Sequence, residues 1–326
     1  MKAGKNLFFK FFILIILLIL FSAVSVFLFP RILDFSMDHE LLFHVIKKIR
    51  VPELFAAIST GTALGFSGAV MQILLDNPLA TPFTLGLSSA SAFGASLSVM
   101  IGFSTGIGLF TPSISAFIFA SLSAMILIAA SSYLGTGRRT IILIGMAVNF
   151  FFSSANTLMQ YYAPPDAVYQ MMFCTAGSLT NVGLKDSMSL MIVFSLSLLI
   201  SLVFSKDMSI IQQGDRNATM LGVNVKLERI LFILIVSMTT AVSVAVAGII
   251  GFIGLCAPHL CRLLGMESPC ILFISSGITG SLILVLADIL SKTILYPTIL
   301  PISAVTSFLG IPFLIILLFI KGKKKA

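Results

Sequence analysis

The sequence predicts an all-α, polytopic membrane protein with about ten transmembrane helices, and two observations support this fold class. First, 58% of the 326 residues are hydrophobic and only 10% are charged. A soluble globule of this length would need more polar groups to cover its surface. Second, the apolar residues form runs of about the 20 residues that a helix needs to cross a bilayer. Because these runs fill the chain, residues 1–326 are interpreted as a single transmembrane domain.

Ten apolar runs follow one another along the chain. They lie near residues 8–29, 52–74, 90–109, 113–134, 140–162, 186–205, 228–250, 252–264, 270–291 and 302–320. The first run is longer than the apolar core of a signal peptide and is interpreted as a retained span. The eighth run is short, and Gly251 and Pro258 predict a broken or partial helix there. Other parts of the protein must shield such a helix from lipid.

The distribution of basic residues predicts that both termini are cytoplasmic. An even number of spans puts the termini on the same side of the membrane. Assigning the loops to alternate sides gives 14 of the 20 basic residues to that side. Lysine and arginine resist translocation, which favours the cytoplasm for the richer side. Because these charges lie at the ends of apolar runs and not on one basic face, the net charge of +8 does not indicate nucleic-acid binding.

The second and third runs are separated by a segment that breaks the apolar pattern, DNPLATPF (76–83). Pro78 and Pro82 are expected to stop the helix of the second span, because proline fixes φ and has no N–H to donate. Glycine, serine and alanine follow the prolines. Small residues of this kind let helices approach closely in lipid, so the third span is expected to pack tightly.

Two further segments are dense in small residues, AAISTGTALGFSGAVM (56–71) and AVSVAVAGIIGFIG (241–254). Close helix packing is expected at both, since packing contributes much of helix association in membranes. The two segments begin what are interpreted as repeated halves of the chain, about 52–162 and 228–320. Repeated halves are common in transporters.

Two connections, residues 30–51 outside and 206–227 inside, are longer than adjacent spans require. The external connection contains a basic cluster, Lys47, Lys48 and Arg50. A connection that is longer than two adjacent spans require indicates a surface with a function beyond joining them.

The cytoplasmic connection 206–227 is expected to contain a short helix. Asp215 is a suitable N-cap, and the helix is expected to run through Leu221. Gly222 can then adopt the left-handed conformation that often ends a helix. Asn224 is expected to cap the span that follows.

The sequence contains no catalytic constellation, and transport fits it better than catalysis. There is no Walker A motif, so this chain is not expected to hydrolyse ATP itself. Cys256, His259 and Cys261 do not have zinc-site spacing and are interpreted as packing residues, so no metal and no cofactor is expected. His259 and Arg262 are interpreted as a structural pair on one helix face. Asp288 lies deep in a late span and leaves an ion-coupled secondary transporter as the alternative, because such carriers use buried ionisable groups.

Several long segments together resemble one family, the permease subunits of ABC importers for iron-siderophores, haem and cobalamin (FecCD-type, type II importer permeases). The matching segments are RVPELFAAISTGTALGFSGAVMQILLDNPLATPFTLGLSSASAFGA (50–95), ATMLGVNV (218–225), AVAGIIGFIGLCAPHLCRLLG (245–265), LADILSK (286–292) and LPISAVTSFLGIPFLIILL (300–318). They occur in order over nearly the whole chain, which makes the resemblance specific.

The resemblance implies a set of partners and a location. A second permease subunit, either another copy or a paralogue, would complete a central pathway through the bilayer. Two ATP-binding cassette ATPases would dock on the cytoplasmic face, and a periplasmic or lipid-anchored substrate-binding protein would dock outside. The location would be the inner or plasma membrane of a bacterium or archaeon.

The resemblance also implies roles for particular residues. A cytoplasmic gate would include Asn77, Pro78 and Leu79, with Thr136, Gly137 and Thr140 as a second gate element. External docking of the binding protein would use Lys47, Lys48, Arg50 and Lys292, with Glu53 standing where many relatives have a second arginine. Because work must arrive through contact with an ATPase, the cytoplasmic helix is expected to supply the coupling residues Asp215, Ala218, Thr219, Met220, Leu221 and Gly222.

Overall fold

The computed structural model of the chain describes residues 2–27, 39–105, 111–134, 137–180 and 182–323, and its regular structure is helical. The helices are α1 (Lys2–Phe27), α2 (His39–Val45), α3 (Val51–Leu74), α4 (Leu87–Thr105), α5 (Pro112–Leu134), α6 (Arg138–Tyr162), α7 (Pro165–Ala176), α8 (Leu184–Val203), α9 (Ser205–Ile211), α10 (Asp215–Met220), α11 (Val225–Ala247), α12 (Ile253–Leu263), α13 (Pro269–Thr293) and α14 (Ile302–Lys323). A single π-helical turn, Ile46–Arg50, joins α2 to α3. The all-α fold class is confirmed.

Each of the ten predicted runs coincides with a helix, although the number of crossings stays a prediction. In the described ranges, seven helical segments are long and apolar enough to cross a bilayer, and α4 and α14 contribute shorter apolar segments. The eighth run forms only the 11-residue helix α12, which contains Pro258. Phe252, just before α12, has a left-handed φ of 66°. This break between α11 and α12 agrees with the predicted partial helix.

The helix α3 lies at the centre of the fold, and most of its residues are buried. Its glycines face the backbone of two other helices. Gly61 packs against Gly280 of α13, where an added Cβ would lie 2.6 Å from the carbonyl oxygen. Gly68 packs in the same way against the carbonyl of Gly254 in α12. The small residues of 56–71 therefore allow the close packing that the sequence predicts.

The turn after α3 differs from the prediction that prolines stop this helix. The helix ends at Leu74, before Pro78. Asp76 adopts a left-handed φ of 46°, and the N–H of Asn77 bonds to the carbonyl of Gln72 at 3.2 Å. A left-handed residue followed by such a bond is a helix-ending motif, usually built on glycine. Asp76 ends the helix, and the prolines shape the loop beyond it.

Candidate functional site

The predicted gate segment, residues 76–83, forms a tight loop with an exposed tip, which is called the gate loop below. The side-chain oxygen of Asn77 accepts the N–H of Leu79 at 2.9 Å, and its backbone oxygen accepts the N–H of Ala80 at 3.0 Å. Pro78 restricts φ between them. The side chain of Leu79 is 55% exposed. This loop therefore holds the apolar side chain of Leu79 outward at its tip, an arrangement suited to closing against an opposing surface.

The second gate element lies at the start of α6. Gly137 is the extended residue just before the helix and is exposed, and Thr140 is half-buried in its first turn. Thr136 lies outside the described residues. Between Gly137 and Thr140 stands Arg138, which the resemblance places inside the second gate element, residues 136–140, without naming a role for its side chain. Its side chain reaches back to the gate loop.

Arg138 joins three parts of the chain at one point. Its Nη1 donates to Oδ2 of Asp76 in the gate loop at 2.5 Å. Its Nη2 donates to the backbone oxygen of Ile211 at 2.8 Å and lies 3.1 Å from Oδ1 of Asp215. The gate loop, the end of α9 and the start of α10 therefore meet at one guanidinium group.

The cytoplasmic helix exists, but Asp215 does not cap it as predicted. Gly214, with φ of 119°, is the N-cap residue of α10, and no side chain caps this end. The carboxylate of Asp215 instead accepts two bonds from Nη2 of Arg229, at 2.8 and 2.7 Å. A charged partner at this distance makes a stronger bond than an amide would. The capping prediction fails because a buried arginine from α11 takes the carboxylate.

The end of α10 follows the prediction closely. The helix ends at Met220, one residue earlier than expected, and Gly222 has the predicted left-handed φ of 85°. The N–H of Val223 bonds back to the carbonyl of Ala218 at 3.0 Å. Asn224 caps α11 by accepting the N–H of Leu227 at 3.2 Å.

The residues proposed for coupling do not all face outward. Thr219, Met220, Leu221 and Gly222 are exposed, with Met220 71% and Leu221 66% accessible. Ala218, by contrast, is completely buried and packs into the core. Because α10 turns Ala218 inward, this position offers no accessible surface to a partner in this structure, and the outward face consists of residues 219–222.

A cluster of four charged residues joins the start of α3 to the end of α13. Oε2 of Glu53 lies 3.1 Å from Nη1 of Arg50 and 2.8 Å from Nζ of Lys292. Nζ of Lys292 also lies 2.7 Å from Oδ2 of Asp288. The two acids and two bases balance in charge, and burial is tolerable for charges that are paired.

Lys292 does not occupy the surface position that a docking role requires. It is 5% exposed, and its ammonium group is directed to Glu53 and Asp288. Two carboxylates, Glu53 and Asp288, supply the counter-ions that make this burial tolerable, whereas an arginine at position 53 would repel Lys292. Arg50 is half-buried beside the same carboxylate. Lys47 and Lys48 remain exposed, so they are the docking candidates that this surface offers.

A cavity of about 510 Å³ lies beside this ion cluster. Asp288 and Lys292 line it together with the segments 176–180 and 299–302 and Tyr169 of α7. Among the described residues, Oδ1 of Asp288 has no hydrogen-bond partner. Asp288 is therefore the residue on which the ion-coupled alternative depends.

The cysteine and histidine side chains of α12 make packing contacts. Nδ1 of His259 lies 3.0 Å from the backbone oxygen of Leu255, and Sγ of Cys261 lies 3.2 Å from Oγ1 of Thr279. Arg262 donates to the side chain of Gln72 in α3, which connects α12 to the helix before the gate loop. Within the described ranges, no group of three or more His, Cys, Asp or Glu side chains could hold a metal ion.

Sequence reasoning missed the residues that connect the site. Asp76 and Arg138 are adjacent to predicted gate residues, but the pair is separated by 62 positions. Arg229 was counted only as a basic residue of the cytoplasmic side. The one usable signal was an acid at the end of α3 and an arginine at the start of α6, both next to loops on the same predicted side.

The fold and these surfaces define a multi-pass helical permease of the membrane. The chain belongs to the FecCD transport family, whose match spans residues 11–320. It is 31% identical to the hemin transport system permease protein HmuU of Yersinia pestis, covering 88% of this chain and 87% of that protein. It is 31% identical to the vitamin B12 import system permease protein BtuC of Yersinia pseudotuberculosis, covering 85% and 82%.

A solved structure supports the same fold. It is described as a metal-chelate type ABC transporter in an inward-facing conformation. Its chain superimposes with a TM-score of 0.85 at 27% identity, covering 97% of this chain and 99% of that one. The resemblance seen in the sequence is therefore confirmed.

Proposed function

We propose that the chain is the permease subunit of an ABC importer that carries a metal chelate, of the iron-siderophore, haem or cobalamin type, into the cytoplasm. The observation that carries the proposal is the family match over almost the whole chain together with the fold of a metal-chelate transporter. The transported species is substrate, not a resident cofactor. This protein must therefore provide a pathway for the chelate and does not need to provide permanent ligands for it.

Energy reaches this permease by contact with two separate ATPase subunits. The outward face of α10 supports this, since Met220 and Leu221 are large apolar side chains exposed at a loop. On a surface predicted to face the cytoplasm, such side chains favour burial against a partner. The movement of α10 would then open or close the loop that carries Asn77 and Leu79.

Substrate arrives from a binding protein on the other face of the membrane. Lys47 and Lys48, exposed just before α3, would meet acidic residues of that protein. A second permease subunit, a copy or a paralogue, completes the pathway, and both termini lie in the cytoplasm. The excess of basic residues on the predicted cytoplasmic side supports this orientation.

Reconstitution tests this function. The permease, the ATPase and the binding protein encoded with it are assembled in proteoliposomes, and uptake of ferric siderophore, haem and cobalamin is measured. We expect uptake of one of these chelates that requires ATP and the binding protein and that persists when a protonophore removes the proton gradient. Uptake without ATP, driven by an imposed proton or sodium gradient and abolished by Asp288→Asn, would instead establish the ion-coupled alternative.

A further inference from the structure

One side chain connects the two regions that the proposed function requires to move together. Arg138 contacts Asp76, which precedes Asn77 in the gate loop, and Asp215, the first residue of α10. These three residues come from three separate connections. Residues 75–86 join α3 to α4, Arg138 opens α6, and Asp215 lies between α9 and α11.

The geometry of the contact depends on the shape of a guanidinium group. Nη1 binds Asp76, while Nη2 faces Asp215 and also donates to the Ile211 carbonyl. Arginine presents its donors in a rigid planar fork, so two acids on different elements can bind one side chain at fixed angles. A lysine has one compact ammonium on a flexible stem and cannot reproduce this bridge.

The two contacts at the ends of this bridge differ in burial: Asp215–Arg229 is partly buried, whereas Asp76–Arg138 lies near solvent. Asp215 is held to α11 by Arg229, whose side chain is only 3% exposed. Asp76 is 62% exposed and Arg138 is 19% exposed, so their pair is near solvent. Exposed ion pairs contribute little to stability. This contact is therefore easily broken and remade, while Asp215 moves with α10 and α11.

We propose that Arg138 is a positioning residue that transmits the displacement of α10 to the gate loop through the chain of contacts Asp76–Arg138–Asp215–Arg229. The inference rests on the proposed function. A movement of α10 on the ATPase displaces the carboxylate of Asp215 and with it the guanidinium of Arg138. A hydrogen bond weakens steeply as its distance and angle change. Displacement of the Arg138 guanidinium therefore releases or redirects Asp76. Asn77 and Leu79 follow, since they are bonded within the same loop.

The test uses the complete complex with its ATPase and binding protein in proteoliposomes. A cysteine is introduced as Leu79→Cys, and its labelling by a membrane-impermeant maleimide from the cytoplasmic side is compared without nucleotide and after vanadate trapping. Chelate uptake per ATP hydrolysed is measured in parallel. The variants are Arg138→Gln, Arg138→Lys and Asp76→Asn, and Arg139→Gln is the matched control because Arg139 is adjacent and exposed.

We expect Arg138→Gln to retain ATP hydrolysis but to lose about tenfold in uptake per ATP, within the usual range of coupling between sites. Labelling at position 79 should become the same in both nucleotide states. Arg138→Lys should behave like Arg138→Gln, whereas a role of charge alone would be rescued by lysine. Combining Asp76→Asn with Arg138→Gln should cause no further loss, because both remove the same connection. The Arg139→Gln complex should behave as wild type.

The proposal is overturned by normal coupling and state-dependent labelling in Arg138→Gln, by rescue with lysine, or by additive losses in the double variant. If Arg138→Gln does not assemble, Asp76→Asn decides the matter, because Asp76 is exposed and its substitution leaves the core untouched. Normal coupling in Asp76→Asn would then refute the connection. Failure of the wild-type complex to transport with ATP would refute the proposed function itself, and that outcome is distinct from all of these.

Discussion

At position 53 one carboxylate holds two cations inside the protein. Glu53 is 6% exposed and bonds both Arg50 and Lys292, and Asp288 completes a neutral group. Removing one member of a buried ion pair is costly because its partner keeps its charge without compensation. Glu53 is therefore the member of the cluster that connects Arg50 to Lys292, while Asp288 binds Lys292 alone.

We predict that Glu53→Gln destabilises the purified protein in detergent by about 3–5 kcal/mol, the usual cost of breaking a buried pair. The cluster then carries a net positive charge, which the interior disfavours. The melting temperature checks this, with Glu40→Gln on exposed α2 as the control. A second variant, Glu53→Gln with Lys292→Met, should recover part of the loss. An unchanged melting temperature for Glu53→Gln would show that the cluster is not a stabilising one.

At the residue scale, we expect docking of the proposed binding protein to depend on the two exposed lysines, Lys47 and Lys48. We predict that Lys47→Glu with Lys48→Glu slows association by about tenfold at low salt, in the range that electrostatic steering gives. The salt dependence should also flatten, because charges at the rim of an interface act mainly on the association rate. Surface plasmon resonance measures both quantities. Lys185→Glu, at an exposed lysine at the start of α8, makes the same type of change on another element and is the control. Association that is unaffected in the double variant would move the docking surface elsewhere.

The sequence predicts the exposure of a charged side chain correctly when its partner is close in the chain, and less well when the partner is far away in the sequence. Lys47 and Lys48 were predicted as exposed, and no distant partner changes that. Lys292 was assigned to the surface, whereas Glu53 binds it across 239 positions of sequence. The error is physical: a charge at the end of an apolar run can face water or a counter-ion, and one helix by itself does not distinguish the two.

At the scale of elements, α10 and its C-cap residue Leu221 combine a buried side and an exposed apolar side within seven residues. Ala218 packs inward, while Met220 and Leu221 face outward before the left-handed Gly222. The left-handed conformation of Gly222 fixes the direction in which the chain enters α11. The orientation of the apolar face therefore depends on one backbone angle.

We predict that Gly222→Val weakens binding of the ATPase while leaving membrane assembly intact. A residue with a Cβ is strained at this φ by at least about 1 kcal/mol, and a branched one by more. Co-purification with the ATPase measures the effect. Gly251→Ala is the control, because that glycine has open space and no left-handed angle.

Crosslinking tests the same face directly. Cysteines at Thr219 and Leu221 should crosslink to the ATPase, and a cysteine at the buried position Ala218 should not. Crosslinking at Ala218 alone, or normal ATPase binding by Gly222→Val, would contradict the coupling role of α10.

The long apolar helices were predictable and the short ones were not. A run of about 20 apolar residues has few other structures available in a membrane protein. The helix α7 has only 12 residues, lies between Pro164 and Gly177, and was overlooked in a stretch of mixed polarity. The helices α2 and α9, with seven residues each, gave no pattern of sufficient length. Their existence depends on the long helices around them, which sequence periodicity does not describe.

At the scale of the whole molecule, the tight packing and the polar connections lie in different parts of the chain. The glycines of α3 bring α12 and α13 into backbone contact, which leaves little room for these helices to move relative to one another. The contacts among the gate loop, α6 and α10 are instead made by charged side chains near solvent. Motion between conformations is therefore expected at these connections, around a core of α3, α12 and α13.

The pairing of charges within single helices has a consequence for biosynthesis. Arg50, the last residue of the π-helical turn, and Glu53 of α3 are three residues apart in one continuous helical segment, and Asp288 and Lys292 are four apart in α13. Each helix therefore carries its own counter-ion when it leaves the translocon, before the two helices meet through Glu53 and Lys292. An isolated charge costs about 2.5–3.5 kcal/mol at the centre of a span on insertion scales, and less near its ends, where these residues lie. A partner of opposite charge on the same face lowers that cost further.

A composition-matched segment isolates this effect. Exchanging Lys292 with Thr293 in the segment 269–293 moves the lysine closer to the aqueous end, which by itself favours insertion. It also turns the ammonium away from Asp288, since residues five apart do not face each other on a helix. We predict that a translocon insertion assay shows less insertion of the exchanged segment than of the native one. Equal or greater insertion would show that the two charges enter the membrane independently. If the prediction holds, each of the two helical segments enters the bilayer with one ion pair of this cluster already formed.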